Sequence, residues 1–182
     1  MRLLTIIATI CLVMLAAGAS VAAGDGGRPG WTPSPEDAAE VKAIISEAAR
    51  LPLSDAAYSL WRQRFRLDAL EGRPTAEEIR INRTLTPEQM AVQYRWERDH
   101  AHEGPAFNQL KRAHPSADDA AIRQAIITAV KFEDASFRNF EQGTGEYWQR
   151  CEHAVARARK DYPGFREDTY RQAANDVAYY YK

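Results

Sequence analysis

The chain has 182 residues, of which 45% are hydrophobic and 27% are charged, the proportions of an ordinary globular protein. Its 24 lysines and arginines nearly balance its 25 aspartates and glutamates, so the formal net charge is −1. This balance argues against a nucleic-acid-binding protein, which normally carries a basic excess, and against tight electrostatic binding to anionic membranes. The length suits one domain with a hydrophobic core of its own.

The first 23 residues have the layout of a secretory signal peptide. Arg2 provides a positive start, an almost unbroken apolar run follows from Leu3 to Ala17, and small residues lead to Ala22 and Ala23. We expect cleavage after Ala22 or Ala23, a periplasmic or secreted location, and no stable membrane anchor afterwards. An uncleaved N-terminal anchor is the alternative, although the apolar run is shorter than the roughly 20 residues of a spanning helix. Residues 24–33 are rich in glycine and proline and are predicted to form a flexible leader.

Residues 34–182 read as a series of capped helices. Patterns that start helices, in which a cap residue is followed by proline or by acids, occur at Ser34, Ser54, Thr75, Thr86 and Ser116. Residues that end helices follow them at Pro52, Gly72, Gly104, Gly143 and Pro163. Apolar residues recur at spacings of three and four, as along Val41, Ile44, Ile45 and Ala48, and the two-residue alternation of strands is absent. The sequence therefore predicts an all-α, single-domain helical bundle of about six to eight helices.

Three polar side chains lie within or beside predicted apolar faces. Arg62 lies at the edge of such a face in a helix predicted from Ser54 to Glu71, and Glu97 and Glu133 lie at the centres of two others. The apolar members of the three faces are Tyr58, Trp61, Phe65 and Ala69; Met90, Tyr94 and Ala101; and Ile122, Ile126, Ala129, Val130, Phe137 and Phe140. A buried carboxylate must be protonated, paired or metal-bound, because an isolated charge in a core is too costly.

These polar residues support two interpretations. Together with His100, they could form an internal polar site for a small molecule or a metal. Glu97 and His100 are three apart, a spacing at which both can ligate one metal on a helix. The alternatives are that each acid pairs with an arginine of a neighbouring helix, and that Glu97 and His100 belong to a solvated helix end before Gly104. No second pair of this kind occurs in the sequence, so we predict no bound metal or cofactor.

The three consecutive tyrosines Tyr179, Tyr180 and Tyr181 are candidate residues for binding a partner. They cannot all face one core from a single helix, so we expect at least one to be exposed, and exposed tyrosines often anchor protein interfaces. The alternative is that their rings lie flat on neighbouring helices with the hydroxyl groups in water. Cys151 shares a face with apolar residues and is predicted to be a small core residue rather than a reactive thiol.

Residues 33–45 and 115–127 resemble each other. Both begin with a Pro-Ser pair, continue with acids and two alanines, and end in Ala-Ile-Ile in the same register. A duplicated helical hairpin would explain this similarity. Two helices that start with the same capping chemistry would explain it as well, and the sequence leaves both explanations open.

The sequence favours binding over catalysis, because it carries no nucleophile elbow and no glycine-rich phosphate loop. We expect an exported, soluble helical protein that binds a protein partner, as an envelope accessory factor of the inhibitor or immunity type. That expectation rests on an analogy with the class of small exported helical domains. The alternative is a bundle with the internal carboxylate and histidine site, with or without enzymatic activity.

Overall fold

A computed structural model describes residues 32–73 and 85–182. The predicted signal peptide, nearly all of the predicted leader and the helix expected from Thr75 lie outside these residues. The described residues form eight α-helices and no strand. They are α1 (Pro35–Ala48), α2 (Leu53–Arg62), α3 (Arg64–Leu70), α4 (Pro87–Asp99), α5 (Pro105–Ala113), α6 (Asp119–Glu141), α7 (Tyr147–Asp161) and α8 (Glu167–Tyr180), with a 3₁₀ turn at Ala101–Glu103. The all-helical prediction is confirmed for this part of the chain.

Capping chemistry fixes where several helices begin. Ser34 and Thr86 form capping boxes with Asp37 and Gln89, in which each side chain accepts a hydrogen bond from the other residue's backbone N–H. At α6 the cap is Asp118, which accepts from two backbone N–H groups, so Ser116 does not start this helix. The similar segments 33–45 and 115–127 therefore differ in where their helices begin.

The helix predicted from Ser54 to Glu71 is divided in two, which corrects that prediction. The chain turns at Gln63, whose N–H donates to the Leu60 carbonyl, and α3 then begins at Arg64. After the break Leu67 is fully buried, whereas Phe65 is 47% exposed. The expected continuation of the buried face through Phe65 is therefore wrong, and this aromatic ring is available at the surface.

Helix α6 is the central helix of the bundle and packs against α2, α5, α7 and α8. Its 23 residues make it roughly 35 Å long at 1.5 Å per residue. The predicted faces of α1 and α6 are buried, except that Phe137 is half-buried. The buried side chains form one continuous core, and its largest fully buried apolar members are Phe132, Leu60, Leu67, Leu110, Ile122, Ile126 and Val177. Cys151 is buried in this core, as predicted.

Asp55 joins the beginnings of two helices inside the bundle. It lies in the first turn of α2, is 1% exposed, and accepts hydrogen bonds from the Arg166 backbone N–H at 2.8 Å and from the Thr169 hydroxyl at 2.5 Å. Because Arg166 precedes the first residue of α8, the carboxylate caps this helix from a distant part of the chain. This contact helps to fix the end of the bundle opposite the C-terminus of α8.

Candidate functional site

Glu133 is buried on α6 and is fully partnered. Its carboxylate accepts a hydrogen bond from the Trp61 indole N–H at 2.8 Å. Arg98 Nη2 lies 3.0 Å from one carboxylate oxygen, and Arg64 Nη1 lies 3.5 Å from the other. The residue itself is only 8% exposed, so these three partners replace the water that its charge requires. We call Glu133, Arg64, Arg98 and Trp61 the Glu133 cluster.

Arg98 and Tyr94 attach helix α4 to this cluster. The Arg98 side chain is 10% exposed and also forms an ion pair with Asp134. The Tyr94 hydroxyl accepts hydrogen bonds from Arg98 at 2.7 Å and from Arg64 at 2.9 Å. Burial lowers the pKa of Arg98, but Glu133, Tyr94 and Asp134 together outweigh this effect and the pKa lies above its ordinary value. The guanidinium group is therefore held in its charged form.

Both arginines also lie against aromatic rings. The Arg64 guanidinium carbon is 4.0 Å from the centroid of the Trp61 ring and 4.4 Å from that of Phe65. The corresponding distance from Arg98 to the Tyr94 ring is 5.2 Å. A guanidinium group in contact with both a carboxylate and the face of an aromatic ring is stabilised by two separate electrostatic attractions.

Arg62 forms a second ion pair, with Asp176 on α8. Its Nε and Nη2 atoms donate to the two carboxylate oxygens, each at 2.8 Å, which is a bidentate geometry. The buried Tyr58 hydroxyl donates to the same carboxylate at 3.2 Å. Burial, followed by the negative charge of Asp176, raises the pKa of Tyr58 well above its ordinary value. This pair links α2 to α8 and contacts neither Glu97 nor His100.

At the C-terminal end of α8, three rings meet edge to face. The ring centroids of Phe137 and Tyr180 are 5.1 Å apart, those of Tyr180 and Tyr181 are 5.3 Å apart, and those of Phe137 and Tyr181 are 6.0 Å apart. We call these three residues the aromatic corner. Tyr181 also stacks on Phe140, and its hydroxyl donates to Glu141 at 2.6 Å. Burial and this hydrogen bond raise the pKa of Tyr181 well above its ordinary value.

Glu133, Arg64 and Arg98 of the cluster line one part of an open groove of about 510 Å³, and the aromatic corner lines another part. A second groove of about 720 Å³ lies on the other side of the Arg62–Asp176 pair and is lined by Trp148, Asn175 and Lys182 among others. Tyr179, which is 84% exposed, borders both grooves. The C-terminal turn of α8 therefore lies between two grooves, and both grooves are lined by aromatic and charged side chains.

The structure gives the four residues of the predicted internal site different partners. Glu133 lies in its cluster and Arg62 binds Asp176, whereas Glu97 accepts a hydrogen bond from Gln93 at 2.8 Å. His100 stacks on Trp96, with ring centroids 4.5 Å apart, and its Nδ1 lies 2.8 Å from the Trp96 carbonyl oxygen. Within residues 32–73 and 85–182, no group of three or more His, Cys, Asp or Glu side chains is arranged to hold a metal.

The prediction that α4 buries an apolar face is wrong. No residue of this helix is buried, and Tyr94 is 39% exposed. The side chain that α4 directs at Glu133 is Arg98, one residue after the predicted Glu97 and therefore about 100° further round the helix. Arg64 was also missed. The sequence carried one signal for its role, which was the high content of arginine near Trp61. Arginines close to a buried face favour pairing with a buried acid.

The three tyrosines of the predicted partner-binding segment differ in exposure, as their helical spacing requires. Tyr179 is 84% exposed and Tyr180 is 73% exposed, whereas Tyr181 packs against the core. The segment therefore has two exposed tyrosines and one that lies against neighbouring helices. The expectation that at least one tyrosine is exposed is confirmed.

Comparison with known proteins found no matching family model, no matching curated protein and no matching solved structure. Among the described helices, none is long and apolar enough to cross a membrane.

Proposed function

We propose that the protein is an exported protein-binding module, an accessory factor of the cell envelope that acts as an inhibitor or immunity-like partner. We further propose that its binding surface is the C-terminal turn of α8 with the groove beside it. The observation that carries this proposal is the exposure of two adjacent tyrosines, 84% for Tyr179 and 73% for Tyr180, at the rim of the groove.

The physical reason is that tyrosine offers a large contact area at a low entropic cost. Its ring has few rotatable bonds, and its hydroxyl can exchange a water for a partner's polar group. Phe65 and Trp148, which are 47% and 48% exposed, extend the aromatic surface to either side of Tyr179. The bidentate Arg62–Asp176 ion pair beside them holds α8 against α2 and so makes this surface more rigid. A preorganised aromatic surface of this kind is typical of interface hot spots.

The internal small-molecule or metal site is not part of this proposal. Glu97 and His100 each contact residues of their own helix, and Glu133 already has two arginines and an indole as partners. No observation within the described residues favours a ligand inside the bundle over the pairing of acids with arginines.

Site-specific photo-crosslinking in the producing organism tests the proposal. A photoreactive phenylalanine analogue placed at position 180 is expected to give one discrete adduct with another protein. The same analogue at position 157 is the control, because Arg157 is exposed on α7 and borders neither groove. Adducts of equal yield at both positions, or none at position 180, would contradict the proposal.

Affinity measurements with the identified partner extend this test. Tyr179→Ala and Tyr180→Ala are each expected to weaken binding about thirtyfold or more, which corresponds to the loss of about 2 kcal/mol that defines an interface hot spot. Arg157→Ala is expected to change the affinity by less than about twofold. The export component is checked separately by the mass of the protein recovered outside the cytoplasm, which is expected to begin at Ala23 or Gly24.

A further inference from the structure

We infer that the partner inserts a basic side chain, preferably that of an arginine, against the aromatic corner and Glu141. This inference rests on the proposed function and specifies the chemistry of the partner at one point of the surface. It is carried by a repeated arrangement of side chains in two parts of one groove, together with the charge balance of the groove.

The first observation is that the groove is acidic once its own ion pairs are counted. Its charged lining consists of Arg62, Arg64, Arg98, Glu133, Asp134, Glu141 and Asp176. Arg62 pairs with Asp176, Arg98 pairs with Asp134, and Arg64 with Arg98 neutralises Glu133. Among the residues that the structure describes, Glu141 has no cationic partner and contacts the Tyr181 hydroxyl instead. It is an exposed carboxylate that favours a cationic ligand.

The second observation is that the chain already shows how this groove holds a guanidinium group. In one part of it, Arg64 lies between the rings of Trp61 and Phe65 and the Glu133 carboxylate. Arg98 lies between the Tyr94 ring and the carboxylates of Glu133 and Asp134. In both cases a carboxylate provides the charge and an aromatic face provides the second attraction.

Each of these arrangements consists of a guanidinium group, a carboxylate and an aromatic face. Within the described residues, the aromatic corner has the last two and lacks the guanidinium group. It has the rings of Phe137, Tyr180 and Tyr181 and the Glu141 carboxylate beside them. No cationic side chain of the described residues lies over any of the three rings, although Arg138 is on the same helix, three residues before Glu141. A basic side chain of the partner would complete the arrangement that Arg64 completes in the other part of the groove.

Arginine fits this position better than lysine. Its planar guanidinium group can stack on a tyrosine ring while it donates to a carboxylate, as Arg64 does within the chain. An acidic segment would be repelled by Glu141. An uncharged sugar chain would stack on the rings and could donate hydroxyl hydrogen bonds to the side chain at position 141, but a glutamine oxygen also accepts such bonds, so its binding would depend much less on the charge at this position than that of an arginine.

The test uses blocked tripeptides as probes and nuclear magnetic resonance of the whole protein as the readout. Acetyl-Gly-Arg-Gly-amide is expected to shift the ring resonances of Tyr180 and Tyr181, with an affinity about fivefold higher than that of the citrulline peptide, its uncharged isostere. The Glu141→Gln variant is expected to lose most of this preference and to keep only the part that the cation–π attraction of the rings provides. Its amide oxygen still accepts the Tyr181 hydrogen bond, so the aromatic corner keeps its geometry.

Glu152→Gln is the matched control, because Glu152 is an exposed glutamate of α7 that borders neither groove. This variant is expected to prefer the arginine peptide as strongly as the unchanged protein does. Equal binding of the two peptides to the unchanged protein, or no loss in Glu141→Gln, would overturn the inference. Binding of a neutral oligosaccharide at the same resonances, unaffected by Glu141→Gln, would overturn it as well.

Failure of this inference is distinguishable from failure of the proposed function. If position 180 crosslinks to a partner whose affinity is the same for Glu141→Gln and the unchanged protein, the protein-binding proposal stands and the basic side chain is excluded. If position 180 gives no adduct, the proposed function fails, whatever the peptides show.

Discussion

Glu133 illustrates how a single buried charge constrains its neighbours. A carboxylate in a protein interior costs several kcal/mol unless paired groups replace its hydration. Here the replacement is made by Trp61, Arg64 and Arg98, which come from three different helices. If the carboxylate were removed, the Trp61 indole N–H would lose its acceptor and the two arginines would lose a counter-ion. Removing one member of the cluster therefore lowers the free energy of unfolding by more than the ion pairs contribute to it as a net stabilisation.

We predict that Glu133→Gln lowers the free energy of unfolding by about 2 to 3 kcal/mol. The amide can still accept from the Trp61 indole, and Asp134 still neutralises Arg98, so the loss comes from the uncompensated charge of Arg64. Urea denaturation followed by tryptophan fluorescence measures it. Glu152→Gln, on the exposed side of α7, is expected to change the same quantity by less than about 0.5 kcal/mol. A loss below about 1 kcal/mol in Glu133→Gln would refute this account of the cluster.

Among the helices, α4 is attached in an unusual way. It has no buried residue, so it gains little from the hydrophobic effect, and polar contacts of Tyr94 and Arg98 hold it against α3 and α6. Buried ion pairs contribute little net stability, because desolvation offsets much of their attraction. The α4 helix therefore costs less to detach than a helix of the core.

Hydrogen exchange followed by mass spectrometry measures this difference. Backbone amides of α4 are expected to exchange at least about 100-fold faster than those in the middle of α6. Arg98→Met keeps an apolar stem and removes the ion pairs, and it is expected to accelerate exchange in α4 further while leaving α7 unchanged. Equal exchange rates in α4 and α6 would show that α4 is held by more than the polar contacts of Tyr94 and Arg98.

A different polar contact joins α3 to α5. Glu71, which follows α3, accepts hydrogen bonds from Gln109 at 3.0 Å and from Arg73 and Arg112 at 2.5 Å each. Burial raises the pKa of Glu71, but these three donors outweigh it, and the pKa lies below its ordinary value. A carboxyl group with a lowered pKa in the folded state stabilises the fold when it is ionised, which holds above the pKa of the unfolded chain.

The contribution of Glu71 is therefore expected to be complete above the ordinary pKa of a glutamate, at about pH 5 and higher, and to disappear as the pH falls through the lowered pKa in the folded state. The measurement is the difference in free energy of unfolding between the unchanged protein and Glu71→Gln from pH 7 to pH 3. The difference should favour the unchanged protein at pH 7 and shrink on acidification. A difference that grows as the pH falls would have the wrong sign for this mechanism.

At the scale of the molecule, the described residues form one continuous core that surrounds α6 and includes the thiol of Cys151. That residue is fully buried, and its Sγ atom lies 3.3 Å from the Tyr147 carbonyl oxygen. Burial raises the pKa of the thiol and so disfavours the reactive thiolate. The helices that cover Cys151 also form the core, so exposing it requires extensive unfolding.

We predict that Cys151 reacts with a thiol reagent about a thousandfold more slowly in the folded protein than in urea. Peptide mapping after labelling identifies the modified cysteine, which separates Cys151 from Cys11. Destabilising variants such as Glu133→Gln should accelerate the labelling about tenfold for each 1.4 kcal/mol by which they lower the free energy of unfolding. Rapid labelling of the folded protein would place the thiol in a locally opening region rather than in the core.

The candidate site was predictable only in part. Glu133 was found from the sequence, because its position on α6 is fixed by the apolar residues of its own helix. Glu97 was chosen by the same reasoning and lies elsewhere, because α4 is not a core helix and its apolar residues do not define a buried face. Arg64 and Arg98 reach Glu133 from 69 and 35 residues away along the chain, a pairing that helical spacing does not encode.

The sequence by itself determined the helical class, the starts of α1 and α4, the buried faces of α1 and α6, and the exposure of at least one of the three tyrosines. These features depend on capping groups and on a period of 3.6 residues, which act within one helix. The tertiary structure alone decided which arginines meet Glu133, where Phe65 points after the turn at Gln63, and that Glu141 lies beside an aromatic corner. Such contacts depend on how distant helices are oriented against each other, and that orientation is set by the packing of the whole core.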